Sequence, residues 1–342
     1  MTRERWTPEQ AADWGREQPW RAGVNLLPST AVNSTEMWQP DTFDLPTLDR
    51  ELGWAADLGL SAVRVFLQFL VHEADPAGHL RRIKSFLDLA AGHGFVVLPV
   101  LLDDCAFAGR QPYLGPQDAP VPGVHNSGWT PSPGHDRVRD PACWPDVRQY
   151  VSDVVGAFRD DPRILGWDVY NEPGNMGMGE DSLPLLREVF DWVRSCDPVQ
   201  PLTAAVWDPR QERINEVLLA ESDVLSTHSY RTLDLLAQEV EQLASAGRPV
   251  WLTEWLMRLP FDPWPGTGRS LVSTHLPYLQ EQGVTCFAWG LVNGRLQTHF
   301  PWLSPEGAEE PELWFHDLLR ADGSPYDEQE AAMFRTLTKE KS

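Results

Sequence analysis

Eight short apolar runs, each followed by a longer amphipathic or loop stretch, set the limits on what this chain can fold into. The runs lie at residues 22–27, 62–69, 96–102, 164–170, 202–206, 224–229, 250–253 and 286–291. Several are continuously apolar, as in Val96-Val-Leu-Pro-Val-Leu-Leu102, the pattern of strands covered on both faces in a parallel sheet. The stretches at residues 45–58, 80–91, 144–158, 183–195, 210–220, 233–246 and 270–282 have helical character. Most stop at glycine or proline signals: Gly59, Gly92 and Gly94, Pro162, Pro198, Gly247 and Gly283. Strand and helix alternating in this way predict an α/β fold, a (β/α)8 TIM barrel. The 342 residues suit one such domain, because these barrels often exceed about 250 residues. The expected organisation is a single catalytic barrel over residues 1–342, with 1–21 an N-terminal extension and 305–342 a C-terminal one. No repeat or interdomain linker interrupts it.

Two segments break the rhythm, residues 103–141 after the third run and residues 291–311 after the eighth. Both follow strand C-termini, where barrels of this type build their sites. Long loops of this kind are functional or disordered. Their Tyr113, His125, Asn126, Trp129, Arg295, Gln297 and Trp302 favour the walls of a binding cleft.

Two carboxylates stand at the exits of apolar runs. Glu172 lies in Ile164-Leu-Gly-Trp-Asp-Val-Tyr-Asn-Glu-Pro173, and Glu254 lies in Pro249-Val-Trp-Leu-Thr-Glu-Trp255. Acids so placed can meet over one sugar ring, one protonating the leaving oxygen while the other attacks the anomeric carbon or activates water. The alternative, a pair of surface or helix-entry acids, fits poorly with the mouths of barrel strands. Arg64, inside Val63-Arg-Val-Phe66, needs a buried partner. Asn171 can donate its amide to a sugar 2-hydroxyl or cap a local turn. Asp103, Trp207, Asp208, His125, Asn126 and Trp255 also fall at or after strand ends and are weaker candidates for substrate contact.

With these residues in view, the chain resembles the clan A (β/α)8 retaining glycoside hydrolases, and most closely their cellulase-like family five, from about residue 22 to about residue 289. The Asn171-Glu172-Pro173 at the fourth strand end resembles the clan's acid/base site, and Glu254 at the seventh resembles its nucleophile. Arg64 resembles the arginine beside the nucleophile. His228 and Tyr230 resemble the sixth-strand His-x-Tyr, and Trp289 in Phe287-Ala-Trp-Gly290 resembles the tryptophan that floors the first sugar subsite. One departure is visible: Asp103 and Asp104 end the third run, where many family-five members place a histidine. The resemblance implies a retaining β-glycosidase.

Composition narrows the rest. The formal charge of −22 disfavours nucleic acid and anionic membranes as partners, and otherwise serves solubility. No phosphate loop, dinucleotide fingerprint or metal motif is present, so no cofactor or metal is expected. The four cysteines Cys105, Cys143, Cys196 and Cys286 form no CxxC or metal knuckle, which fits a reducing compartment. The charged N-terminus offers no secretion signal and no run of 18 apolar residues exists, so a cytoplasmic location is expected. Soluble oligosaccharides or small β-glycosides are then the expected substrates, with exo action if the long loops close one end of the cleft. An endo-acting cellulase, mannanase or xylanase, a non-catalytic carbohydrate-binding barrel, and a barrel isomerase or metal-dependent hydrolase are the alternatives. Oligomeric state is not legible.

Overall fold

A computed structural model describes residues 3–261 and 268–339. Its parallel strands are β1 (Ala22–Asn25), β2 (Ala62–Phe66), β3 (Val96–Asp103), β4 (Trp167–Asn171), β5 (Leu202–Thr203), β6 (Ala205–Val206), β7 (Leu225–His228), β8 (Val250–Trp255) and β9 (Thr285–Trp289). They pair in the order β5-β4-β3-β2-β1-β9-β8-β7-β6. Because β5 and β6 are separated only by Ala204, they are two halves of one strand. One half pairs with β4 and the other with β7, so the ring closes as the expected eight-stranded barrel. The residues of β1, β2, β4, β7 and β8 are all buried, which explains runs apolar on both faces.

The boundaries differ where local chemistry intervenes. The second run ends as strand at Phe66, and Phe69 already opens a helix, Phe69–Ala74, because the Gln68 side chain accepts from Leu70 N. The fourth run is strand only from Trp167, with Ile164 forming an isolated bridge to Val97. The eighth turns away at Gly290, whose φ of 83° and whose contact with Asp317 leave no room for a Cβ. Expected helices recur as Leu45–Asp57, Pro76–Gly92, Trp144–Phe158, Leu183–Ser195, Glu212–Glu221, Leu233–Ala244 and Val272–Glu281. The 103–141 loop carries short structure of its own, a helix at His135–Arg139 and a 3-10 turn at Pro141–Cys143.

The segments before β1 and after β9 cover opposite ends of the barrel. At the strand N-termini, Ala62, Leu98, Leu165, Val224, Trp251 and Phe287 form a separate apolar cluster, and Trp14 of the helix Pro8–Glu17 packs against it as a plug. Arg3 pairs with the fully buried Asp223 beneath it. At the other end, the C-terminal segment threads Phe315, His316 and Asp317 against the strand mouths. Arg258 fixes it by donating to the carbonyls of Trp314, His316 and Asp317 and by pairing with Glu330. Among the described residues no helix is long and apolar enough to cross a membrane.

One buried acid ties the first barrel loop to its helix. Glu51, fully buried, accepts from Ser29 N at 3.1 and 3.2 Å and from Ser29 Oγ. Burial outweighs those bonds and pushes its carboxyl up to about 7. Its folded pKa therefore lies above its unfolded one, so the native state keeps a proton that the unfolded chain has released. Stability is full below about pH 4.5 and is lost as pH rises towards 7, by a contribution on the order of 3 kcal/mol. Urea melts of Glu51→Gln should accordingly lose stability less between pH 5 and pH 8 than those of the wild type.

Candidate active site

At the C-terminal mouth of the barrel the fully buried Arg64 guanidinium gathers four strands. Its Nη1 donates to Glu254 Oε1 and Asn25 Oδ1, both at 2.9 Å, and Nη2 donates to Asn171 Oδ1 at 2.7 Å. Its Nε and Nη2 lie 2.9 Å from Asp168 Oδ2. Arg64 thus carries its expected partner and a second one, Asp168, that was not anticipated. Asp168 lies three positions before Asn171, so strand alternation alone would not put the two on one face, yet both meet the Arg64 guanidinium.

Glu254 sits where the pairing of β8 with both neighbours shifts register, an irregularity of the kind that re-aims a side chain. Its second oxygen, Oε2, accepts from the Tyr230 hydroxyl at 2.9 Å. Burial pushes the carboxyl up. His228, the Arg64 cation and the Tyr230 hydroxyl act the other way, while Glu172 reinforces the rise.

Glu172 lies just past β4 with φ at 45°, a left-handed conformation that costs a non-glycine residue energy and that the surroundings hold in place. Asp104 supplies much of that hold, accepting from Gly174 N and the Tyr170 hydroxyl, both at 2.7 Å, and from Ser182 Oγ. Trp207 adds to it by donating Nε1 to Pro173 O at 3.0 Å. Burial raises the Glu172 carboxyl, countered first by the Cys105 thiol and then by the Asn175 amide. His228 Nδ1 stands 2.7 Å from Glu172 Oε1 and 3.6 Å from Glu254 Oε2. Burial lowers this imidazole to about 4, so it is neutral at pH 7 and a single hydrogen lies between Nδ1 and Oε1. Glu172, His228 and Glu254 each bring a ligand-type atom within 4.8 Å of the others. Among the described residues only this triplet converges closely enough to hold a metal ion. The Arg64 cation already neutralises one of its members and opposes a second positive charge.

Asp103 takes the place where a histidine would resemble the family. It is buried, accepts from Trp129 Nε1 at 2.7 Å and from Asn171 Nδ2 at 2.8 Å, and is pushed up by burial to about 7. Trp129 and Trp289 approach each other with ring centroids 6.0 Å apart, and both pack edgewise on Phe66. A narrow hollow lies beside them, lined by Asn25, Phe66, Trp129, Trp289, Leu296 and Asp317 among others. A larger surface hollow at residues 156–163 lies near the opposite, N-terminal strand ends and offers only surface Arg and Asp groups.

His125 and Asn126 have a different neighbourhood from the carboxylates. They lie in a seam where the loops after β3 and β9 bond to each other. Asn126 N donates to Leu296 O at 2.8 Å, His125 Nδ1 meets Phe300 O at 2.7 Å, and Gln297 Nε2 donates to Val121 O at 2.7 Å and to Val124 O at 3.1 Å. The His125 ring packs against Trp302, Phe315 and His316. Asn126 adopts φ 50° and keeps a buried Oδ1 with no hydrogen-bond partner. Trp255 is fully buried and stacks on His275, and Asp208 pairs with Arg210. Sequence reasoning missed Asp168, Asn25, Asn175 and Cys105. Of these, only Asp168 carried a signal, an acid in an otherwise apolar run.

The structure compares with solved glycoside-hydrolase barrels. It is similar to an exo-β-1,4-mannosidase, Op5Man5 from Opitutaceae bacterium strain TAV5, with TM-score 0.61 and 18% identity over 94% of this chain and 60% of that one. It is similar to GH5_18 from Streptomyces cattleya in complex with GlcNAc, with TM-score 0.59 and 19% identity over 95% and 82% of the two chains. It is also similar to the endo-β-1,4-mannanase from Thermotoga petrophila, with TM-score 0.57 and 15% identity over 95% and 77%. The chain shares their fold. It spans less than two thirds of the length of the mannosidase. No protein-family model matches the sequence, and no curated protein matches it either.

The Arg64 hub makes a sharp test. Arg64→Met strands Asp168 and Glu254 as buried charges and should cost about 3–5 kcal/mol in urea unfolding. Adding Asp168→Asn removes one stranded charge, so the double variant should recover part of that loss. Equal destabilisation in single and double variants would show that the Asp168 pairing contributes nothing.

Proposed function

We propose that the chain is a retaining β-glycoside hydrolase, with Glu254 as nucleophile and Glu172 as acid/base. The observation that carries this reading is the carboxylate pair itself. An oxygen of one group lies within 4.8 Å of an oxygen of the other, which fits the retaining separation of about 5–5.5 Å better than the roughly 6.5–9.5 Å of inverting pairs. Their surroundings divide the roles. Glu254 faces a permanent cation and a hydroxyl donor, which favour the ionised form a nucleophile needs. The hydrogen-bond partners of Glu172 are a thiol, an amide and a neutral imidazole, and Arg64 acts on it without a direct bond, which suits the member that keeps a proton.

In the first step the Glu254 carboxylate attacks the anomeric carbon, the glycosidic C–O bond breaks, and the proton of Glu172 passes to the departing oxygen. In the second, Glu172 takes a proton from water, which attacks the same carbon and releases Glu254. Trp289 is the sugar platform, and Asp103 orients Asn171 through its 2.8 Å bond; the second Asn171 Nδ2 hydrogen, in long 3.4 Å contact with Cys105 Sγ, turns to the sugar 2-hydroxyl when substrate binds. Trp207 supports the turn behind the acid.

The substrates we infer are soluble oligosaccharides or small β-glycosides, cleaved from one end. The seam between the two long loops supports this, since it joins them into one wall beside Trp129 and Trp289. Similarity in fold to both an exo-mannosidase and an endo-mannanase leaves mannosides as the first glycone to try. No cofactor or metal enters the mechanism.

Azide separates the roles. Glu254→Gly should lose essentially all turnover of aryl β-glycosides and regain it with azide, giving an α-glycosyl azide. Glu172→Ala should retain cleavage of dinitrophenyl glycosides and give the β-azide. Wild-type rates on an alkyl β-glycoside in either variant would refute the assignment. Prolonged chelation with EDTA should leave turnover unchanged. A loss restored by one divalent ion would instead favour a metal-dependent hydrolase built on Glu172, His228 and Glu254.

A further inference from the structure

Cys105 has no place in the mechanism just given, yet its sulfur touches the group assigned as acid. The thiol lies 3.1 Å from Glu172 Oε2. Two amides converge on the same sulfur, Asn171 Nδ2 at 3.4 Å and Asn175 Nδ2 at 3.5 Å. Asn175 Nδ2 also donates to Oε2. The sulfur is therefore an acceptor for two neighbours and a donor to one.

We propose that Cys105 is a positioning residue for Glu172: its S–H, with the Asn175 amide, pins Oε2 and leaves Oε1 to His228 and the glycosidic oxygen. The proposal rests on the acid/base reading of Glu172.

Three features support it beyond the contact. The donor must be a thiol and not a thiolate, and burial together with the carboxylates of Glu172, Asp103 and Glu254 keeps the proton on sulfur at neutral pH. The backbone places it firmly, because Cys105 N donates to Asp103 Oδ1 at 2.8 Å, the same oxygen that accepts from Asn171 Nδ2. Asp103 thus orients both the strand-end amide and the thiol. Finally, a carboxylic acid whose one oxygen is pinned by donors presents its proton on the other. That is the oxygen facing the neutral imidazole of His228, 2.7 Å away.

The test compares Cys105→Ala with Cys105→Ser on an alkyl and a dinitrophenyl β-glycoside. Loss of the donor removes a bond that favours ionised Glu172, so the alkaline limb of kcat/KM should move to higher pH in the alanine variant. The alkyl glycoside, which needs the acid, should lose at least about fivefold in kcat/KM, and the dinitrophenyl glycoside less than about twofold. Serine, which keeps a donor, should return both readouts towards wild type. An alanine variant whose pH profile superposes on that of the wild type overturns the proposal.

A second measurement does not depend on turnover. In Glu172→Gln the thiol loses its carboxylate neighbour, so alkylation of Cys105 by iodoacetamide at pH 8, followed by peptide mass spectrometry, should accelerate at least about threefold. An unchanged alkylation rate also overturns the proposal. If alkylation accelerates while the wild type turns over no β-glycoside of any glycone, the Cys105–Glu172 contact stands and the hydrolase reading falls.

Discussion

A single guanidinium decides the geometry of this barrel mouth. Arg64 is fully buried, and an unpaired charge there would cost several kcal/mol. Its nitrogens are satisfied by groups from β1, β4 and β8, with its own strand β2 as the fourth wall. Those bonds fix the relative positions of Asn25, Asp168, Asn171 and Glu254 far more tightly than apolar packing would, because an apolar contact has no preferred direction. Asn171 passes the constraint to Asp103, and Asp103 passes it to Trp129. The aromatic cleft and the carboxylate pair are thus parts of one polar network.

On the proposed reading, one burial environment gives two carboxyls different duties. Burial raises both Glu172 and Glu254, so depth alone does not distinguish them. The distinction comes from partners: a cation and a phenol on one side, a thiol and an amide on the other. His228, neutral and bridging towards both, couples their titrations, so pH limbs belong to the pair and not to either residue alone.

Much of the barrel was legible in the sequence because burial on both faces forces continuous apolar runs, and no other common fold demands eight of them with helices between. What blurred the boundaries was side-chain chemistry that hydropathy does not record. The Gln68 cap starts a helix where the apolar run continues, and the fifth strand changes partner at Ala204 without any change in hydropathy. In the site, residues at strand ends could be placed because a strand end has a defined location. Residues inside the long loops divided, with Trp129 lining the hollow beside Trp289 and His125 and Asn126 bonding across the seam. His125 has the chemistry of a sugar ligand, but its ring and Nδ1 meet the opposite loop. Cys105 left no trace in the sequence, since only folding brings it to Glu172.

The seam between the loops after β3 and β9 has a consequence for traffic. Several hydrogen bonds cross it, to the carbonyls of Val121, Val124, Leu296 and Phe300, so neither loop can swing without tearing the other. On the proposed hydrolase reading, a rigid wall of this kind would stop a polymer from sliding forward after a cut. Action would then be distributive, with a fresh encounter for every bond broken, and short soluble chains, which diffuse quickly, would be handled best.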